Sequence, residues 1–289
     1  MNLIKKIFSP LLTLLEYIQN HFKAMLFLLL LAVIFFPSSD EELQHTNLQE
    51  IKLVGTIMDP SEVLEQIEHA TNDNNIKGVL FSVNSPGGAV APSVEIAYAI
   101  KRLAQKKPVV AYAEGTMASG SYYSSIWANK IIANPGSMIG SIGVIMQGAN
   151  LQELMNKIGI QTQVVKAGKY KQLGTTDRKW KDFEVAELNK VIQGTYDMFT
   201  HDVAKARDLN ISKRDQFANA HIFTASQAKN VGLVDYVGVK YDAKTLLKQL
   251  SGVDEAHWKE EDKFDKLLKK ISASTAVIVQ TYLPPLTLK

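Results

Sequence analysis

The chain has 289 residues, of which 46% are hydrophobic, with ordinary glycine and proline contents, so the composition predicts a globular protein. It has no cysteine, which excludes disulfides, thiolate metal sites and cysteine nucleophiles. The formal net charge of +3 is small and the basic residues are scattered, so we expect no nucleic-acid partner.

A hydrophobic run, AMLFLLLLAVIFF at residues 24–36, dominates the N-terminal part. The run is short for a perpendicular membrane helix, which needs about 20 residues, and it also falls within the range of a signal-peptide core. No A-x-A cleavage site follows it, and a long, partly amphipathic stretch at residues 1–23 precedes it. The sequence therefore predicts an uncleaved membrane anchor at residues 24–37.

The charges around this run predict its orientation. Lysines precede it, whereas Asp40, Glu41 and Glu42 follow it. By the positive-inside rule, the N-terminus is expected in the cytoplasm and the bulk of the chain on the other side of the bilayer. A polar linker at residues 38–49 comes next.

From residue 50 onward, short β-branched runs alternate with helical stretches. The predicted strands are residues 50–57, 77–83, 107–114, 130–134, 141–146 and 160–166. The clearest predicted helices are residues 60–71, 93–105 and 179–207. This alternation predicts βαβ units and a mostly parallel sheet covered by helices. Because no internal repeat is visible, we expect one α/β domain at residues 50–250, followed by a tail at residues 251–289.

The loop NSPGGAV, residues 84–90, follows a predicted strand and precedes a helix. Gly87 and Gly88 allow backbone N–H groups to approach a ligand closely and to point at an anion, as an oxyanion hole requires. The alternative interpretation is a tight turn between a strand and a helix, for which Ser-Pro-Gly-Gly is equally suitable.

The segment TMASGSYYSSIWAN, residues 116–129, contains a second such junction. Ser119 is either the N-cap of the following helix or a nucleophile with the Gly120 amide near the developing oxyanion. A serine nucleophile needs a base, yet no histidine lies within 45 residues of the segment. The six histidines show no metal-ligand spacing, so we expect no metal site and no cofactor.

Several motifs in order resemble the signal peptide peptidase A (SppA) family of membrane-bound serine proteases. They are NSPGG, MASGSYY, NPGSMIGSIGVI, AGKYKQLGTTDR and IFTASQAKNVGLVDYVG. The resemblance implies a fold related to the Clp protease and the crotonases, a serine-lysine dyad, and a location in the bacterial inner membrane with the catalytic domain on the periplasmic side. The dyad would explain the absence of a histidine.

The resemblance assigns the nucleophile to Ser119 and the general base to Lys171. From the residues alone, Lys166, Lys169 and Lys171 were all candidates for the base. Lysine is normally protonated at neutral pH, but burial in an apolar site lowers its pKa and makes it a base.

The resemblance also matches Ser141 to the serine that holds the lysine amine in place, with a serine at the start of a strand as the alternative. We expect the oxyanion donors to be the amides of Gly88 and Gly120. The other serines of the segment are then expected to be bystanders at helix positions: Ser121, Ser124 and Ser125.

Hydrophobic peptides left in the membrane after signal cleavage are the substrates that the resemblance implies, and a homo-oligomeric ring with active sites shared between chains is the implied assembly. Two other interpretations remain open. A crotonase-type acyl-CoA enzyme would share the glycine-rich loop but would use carboxylates. A non-catalytic membrane scaffold on the same fold would lack one member of the dyad.

Overall fold

The computed structural model describes residues 17–28 and 46–259. The chain divides into two units after His45, and each is described by itself. In the first unit, residues 17–28 form helix α1. Most of the predicted anchor at residues 24–37 lies outside the described residues. Within the part that the structure describes, no helix combines the length and the apolar character needed to cross a membrane.

Seven strands of the second unit form one sheet. They are β1 (Leu48–Val54), β2 (Gly78–Ser85), β3 (Val109–Ala118), β4 (Lys130–Ala133), β5 (Met138–Gly140), β6 (Ile222–Thr224) and β7 (Tyr236–Val237). The order β1-β2-β3-β4-β7 is parallel throughout. The first half of β3 pairs with β4, and its last three residues pair in parallel with β5, which in turn pairs antiparallel with β6.

The helices of this unit are α2 (Ser61–Asn72), α3 (Val90–Ala104), α4 (Gly120–Ser125), α5 (Gln152–Lys157), α6 (Asp182–Arg207), α7 (Ala225–Asn230) and α8 (Lys240–Ser251), with a 3₁₀ helix at Ile211–Gln216. Helices α2, α3 and α4 each connect two neighbouring parallel strands, as in βαβ units. The parallel-rich α/β architecture predicted from the sequence is thereby confirmed.

Apolar side chains on both faces of the sheet are buried, as expected for parallel strands covered by helices. In β2, for example, Val79 and Phe81 belong to the cluster packed under α2, α3 and α4, whereas Leu80 belongs to the cluster under α8. This alternation follows from the period of two along a strand. The continuous apolar runs of β2 and β3 are therefore explained by burial on both sides.

Two predicted strands are wrong. Residues 141–146 and 160–166 form no strand, and most of the segment from residue 144 to 171 is exposed. Val165, in the middle of the second run, is fully exposed. β-branched runs become strands only where a neighbouring strand completes the hydrogen bonds, and within the described residues none lies beside these two.

The beginning and the end of the described part of the second unit lie side by side. The amides of Asn47 and Leu48 donate to the His257 carbonyl at 2.9 and 3.2 Å, and the Lys259 amide donates to the Leu48 carbonyl at 2.8 Å. Trp258 pairs in parallel with Leu48 on the side of β1 that faces away from β2. The chain thus continues to pack on the domain as far as residue 259, past the predicted boundary at residue 250.

Candidate active site

The carboxyl ends of β3 and β5 place two serines next to each other. Ala118 and Gly140 are the last residues of these strands and are partners in the parallel ladder, so Ser119 and Ser141 follow at the same edge of the sheet. The Ser119 amide donates a hydrogen bond to the Gly140 carbonyl at 2.8 Å. Strand pairing therefore brings together two residues that are far apart in the sequence.

Both serines have left-handed backbones, which is uncommon for a residue with a side chain. The φ angles are +54° at Ser119 and +49° at Ser141. At Ser119 the turn is fixed on both sides, because its amide is bonded to β5 and its carbonyl accepts from the Tyr123 amide at 3.0 Å in α4. Such strained turns persist where the surrounding structure imposes them and often occur at functional sites.

The Ser119 hydroxyl makes no hydrogen bond to an amide of α4. Ser119 is thus the N-cap residue of α4 by position, as one of the two interpretations expected, but its hydroxyl does not cap the helix. Its side chain remains available for chemistry.

Ser141 is held by the segment that precedes β6. Its amide donates to the His221 carbonyl at 2.7 Å, and the Ala220 amide donates to the Ile142 carbonyl at 2.9 Å. Asn219 and Ala220 themselves have positive φ angles. Because β5 ends at Gly140, Ser141 follows a strand and does not start one, so that alternative for Ser141 is wrong as well.

The SPGG loop connects β2 to α3 and packs closely against the Ser119 turn. A Cβ atom on Gly87 would lie 2.6 Å from the Gly120 nitrogen and 2.8 Å from the Ser119 Cβ atom. A Cβ atom on Gly88 would lie 2.1 Å from the Ile57 carbonyl oxygen. Both positions therefore require glycine, and the loop is more than a tight turn because its backbone lies directly beside Ser119.

Hydrogen bonds to Ile57 determine how the loop presents its amides. The Ile57 amide donates to the Gly87 carbonyl at 2.9 Å, and the Ile57 carbonyl accepts from the Ala89 amide at 2.8 Å. In this kind of parallel bridge the N–H group of the intervening residue, Gly88, points away from its partner. Neither the Gly88 amide nor the Gly120 amide donates to another group in the described residues. Both are free to receive an oxyanion.

These groups line one open cavity of about 500 Å³. The structure brings four of the predicted site residues to it: Ser119, Ser141, Gly88 and Gly120. Much of the remaining lining is apolar or aromatic and comes from α3, α6 and the segment after Ser141, including Val90, Val94, Val144, Ile145, Ile192, Met198 and Phe199. A mostly apolar cavity with a few convergent polar groups is typical of a ligand site.

Lys171, the predicted base, does not line this cavity. Its side chain is exposed and makes no hydrogen bond, ion pair or ring contact with the described residues. By contrast, the Lys169 ammonium lies 4.8 Å from the centre of the Phe183 ring and 5.3 Å from that of Tyr170. Within one chain, the structure does not bring Lys171 and Ser119 together.

An ion pair contacts the side chain of Gln172, the residue that follows Lys171. Arg178 donates two hydrogen bonds to the buried Glu184 carboxylate, at 2.7 and 2.8 Å, and one to the Gln172 side chain at 3.3 Å. The hydrogen bond from Arg178 lowers the pKa of Glu184 to about 2. This pair is not among the predicted site residues, although two opposite charges six residues apart around the start of a predicted helix are a visible signal.

A second missed feature is the contact between α4 and α6 at the wall of the cavity. The Tyr123 hydroxyl donates to the Asp202 carboxylate at 2.5 Å, and its ring meets Phe199 edge to face at 5.0 Å between centroids. Burial, together with the bond to Asp202, raises the pKa of Tyr123, so the phenol stays neutral. These two contacts connect α6 to the helix that follows Ser119.

No histidine in the described residues lines the cavity. His201, for example, is exposed and uses Nδ1 in a contact of 2.7 Å with the Asp197 carbonyl. A histidine base is therefore not provided by the described part of this chain.

Comparison with known proteins agrees with the family that the motifs resemble. A model of peptidase family S49 matches residues 101–254, a range that includes Ser119, Ser141 and Lys171. The chain is 43% identical over 187 residues to a putative protease of Methanocaldococcus jannaschii, covering 65% of this chain and 60% of that protein. It is 39% identical over 176 residues to a putative protease of Synechocystis, covering 61% and 64%.

A putative signal peptide peptidase SppA of Enterococcus faecium is 34% identical over 187 residues, covering 64% of this chain and 54% of that protein. The chain thus spans between about half and two thirds of the length of these curated relatives. Because the family model covers more than half of the chain, and because a relative named SppA is 34% identical over 64% of it, the chain belongs to peptidase family S49, as an SppA-type member.

Proposed function

We propose that this protein is a membrane-anchored serine endopeptidase that degrades hydrophobic peptides, such as signal peptides after their cleavage. The observation that carries the proposal is the position of the Ser119 hydroxyl. It is not used by α4, it lies in a strained turn, and it lines the same cavity as the unused amides of Gly88 and Gly120. This is the arrangement that acyl transfer to a serine requires.

In the proposed reaction, Ser119 Oγ attacks the carbonyl carbon of a peptide bond while a base removes its proton. The carbonyl oxygen becomes an oxyanion and accepts hydrogen bonds from the Gly88 and Gly120 amides, a contribution typically worth about 10²–10³ in kcat for each donor. The base then protonates the leaving amine, and an acyl-enzyme remains. Water, deprotonated by the same base, releases the second product.

We assign the base to Lys171 of the partner subunit in a homo-oligomeric ring. The exposure of Lys171, and its lack of contacts within the described residues of its own chain, support this assignment. The same segment exposes apolar side chains such as Ile145 and Val165, which a neighbouring chain would cover. An apolar interface would also favour the neutral amine that a base requires, and Ser141 would orient it.

The mostly apolar lining of the cavity supports hydrophobic side chains in the substrate. The hydrophobic run at residues 24–36 supports attachment to the bacterial inner membrane, where such peptides accumulate. We propose that the catalytic domain faces the periplasm. A protease added to intact spheroplasts should then digest this domain, and digestion only after lysis would contradict the orientation.

Peptide cleavage by the purified full-length protein tests the activity. We expect cleavage of casein and of an unfolded signal peptide, abolished by Ser119→Ala and by Lys171→Ala, with unchanged circular dichroism. His221→Ala is the matched control, since His221 contacts the Ser141 backbone only through its carbonyl, and its rate should stay within a few-fold. A loss in the histidine variant equal to that in Lys171→Ala would show that the dyad assignment is wrong.

A further inference from the structure

The hydroxyl of Ser121, the second residue of α4, connects two strands of the sheet. Ser121 is fully buried. Its Oγ atom accepts a hydrogen bond from the Ala118 amide at 2.9 Å and donates to the Ser85 carbonyl at 2.6 Å, with the Ala118 carbonyl as a second acceptor at 2.9 Å. The expectation that Ser121 is a bystander does not agree with these contacts.

Ser121 connects two residues that lie at the ends of strands, next to the proposed oxyanion loop and the proposed nucleophile. Ser85 is the last residue of β2 and the first residue of the SPGG loop, and Ala118 is the last residue of β3, immediately before Ser119. The ladder between β2 and β3 is irregular here, with a register shift between Val83 and Ser85. After Ser85 comes a proline, which has no N–H group to continue the ladder. The hydroxyl therefore bridges the strands where regular pairing stops.

The surroundings leave little room for the two elements to move independently. The Gly87 backbone already packs so closely on residues 118–120 that no Cβ atom would fit. A buried hydroxyl with both donor and acceptor satisfied fixes two backbone groups in the same place. A shift of the strand ends would change the distance from Ser119 Oγ to the Gly88 amide, and catalysis is sensitive to misplacements of about 1 Å.

We propose that Ser121 is a positioning residue that holds the oxyanion loop at its working distance from the nucleophile. The proposal rests on the proposed function, because it assumes that Ser119 attacks and that Gly88 donates to the oxyanion. Ser121 does not line the cavity, so it acts only through the backbone groups it joins.

Ser121→Ala in the full-length protein tests this role, with Ser125→Ala as the matched control. Ser125 is also fully buried in α4, but its hydroxyl donates only to the Ser121 carbonyl within the same helix, at 2.8 Å. The measurements are kcat, KM and the inhibition constant of a peptide boronic acid, which forms a tetrahedral adduct with the nucleophilic serine. Thermal unfolding of each variant accompanies them.

For Ser121→Ala we expect kcat to fall about tenfold and boronate affinity to fall by a similar factor, with KM changed less than about twofold, because the loss concerns the tetrahedral state. Ser125→Ala should change none of the three by more than about twofold. If the variant folds incompletely, the apparent kcat falls with the fraction of active protein, whereas KM and the inhibition constant do not. The ratio of the inhibition constant to KM therefore still measures the loss of affinity for the tetrahedral adduct.

Two results would overturn the proposal. The first is equal kinetics in Ser121→Ala and Ser125→Ala while Ser119→Ala is inactive, which leaves the proposed function intact and removes only the role of Ser121. The second is full activity in Ser119→Ala, which would show that the nucleophile itself is misassigned, and the positioning role would fail with it.

Discussion

Gly120→Ala tests how tightly the two proposed oxyanion donors are packed. The new methyl carbon would lie 2.3 Å from Ser93 Oγ, 3.1 Å from Ser93 Cβ and 3.3 Å from the Gly88 nitrogen. Gly120 is not among the glycines with positive φ, so alanine suits its backbone and the conflict is one of packing alone. Relief requires either a rotation of the Ser93 hydroxyl, which breaks its hydrogen bond of 2.8 Å to the Ala89 carbonyl, or a movement of roughly 1 Å between α3 and α4, since nonbonded atoms prefer about 3.5 Å.

Overpacking of this kind typically costs about 1–3 kcal/mol of folding free energy. The contacts that remain, with Ser93 Cβ and the Gly88 nitrogen, push the Gly120 amide away from the oxyanion position, and complete loss of one donor costs about 10²–10³ in kcat. We therefore expect urea denaturation to show a loss of stability of about 1–3 kcal/mol, and peptide hydrolysis to show a fall in kcat of at least about tenfold.

A double-mutant cycle with Ser93→Ala makes the reasoning refutable. That substitution removes the atom at 2.3 Å and leaves the Cβ atom at 3.1 Å, a tight contact that small adjustments can relieve. By itself it removes only the hydrogen bond from Ser93 to the Ala89 carbonyl. We expect the free energy of unfolding of the double variant to be at least about 1 kcal/mol higher than the sum of the two single effects predicts. We also expect the double variant to regain most of the kcat that Gly120→Ala loses. Strict additivity in both measurements would show that this contact does not limit the site.

Three further predictions concern the partner subunit, the stability at acid pH and the wall of the cavity. Inactive Ser119→Ala and Lys171→Ala chains, co-assembled at equal ratio, should regain activity at about a quarter of the sites if the dyad is shared between chains; demonstrably mixed oligomers that stay inactive would count against sharing. Because the pKa of Glu184 is about 2 against an ordinary 4.5, its ion pair with Arg178 stabilises the fold fully above pH 4.5 and loses this contribution as the pH falls toward 2. Glu184→Gln should therefore lower Tm at neutral pH and approach the wild-type Tm near pH 2, whereas a constant difference in Tm would contradict the assignment. Tyr123→Phe keeps the ring in the wall but removes its hydrogen bond to the α6 carboxylate, so urea denaturation should show a loss of about 1–2 kcal/mol; an unchanged free energy of unfolding would show that this bond does not stabilise the fold.

The central sheet could be predicted because β2 and β3 are buried on both faces and read as continuous apolar runs. Strands β5, β6 and β7 have only two or three residues and carry no pattern of their own. The runs at residues 141–146 and 160–166 have the composition of strands, but within the described residues no strand lies beside them to pair with. Composition indicates the preference of a segment for the β conformation. A strand also needs a neighbouring strand to pair with, and the local sequence does not indicate where that neighbour lies.

For the site, the glycines and serines could be predicted because each follows a strand, and parallel strands end at one edge. The roles assigned to Ser119, Ser141 and Lys171 stay predictions, although the cavity accommodates both serines. The wall formed by α6 was not predictable in detail, because its orientation depends on tertiary contacts such as that of Tyr123 with Asp202. The role of Ser121 was missed for the same reason, since its partners lie on two different strands.

The pairing of Leu48 with Trp258 has a practical consequence for experiments on this domain. Residues 46 and 259 leave the sheet at the amino end of β1, whereas Ser119 and Ser141 follow the carboxyl ends of β3 and β5. In a parallel sheet, the amino ends and the carboxyl ends of the strands lie on opposite sides of the sheet. A fluorophore, an affinity handle or a linker to a sensor chip attached near either residue would therefore leave the mouth of the cavity unobstructed, and two dyes placed at both would report on the integrity of the edge strand by energy transfer.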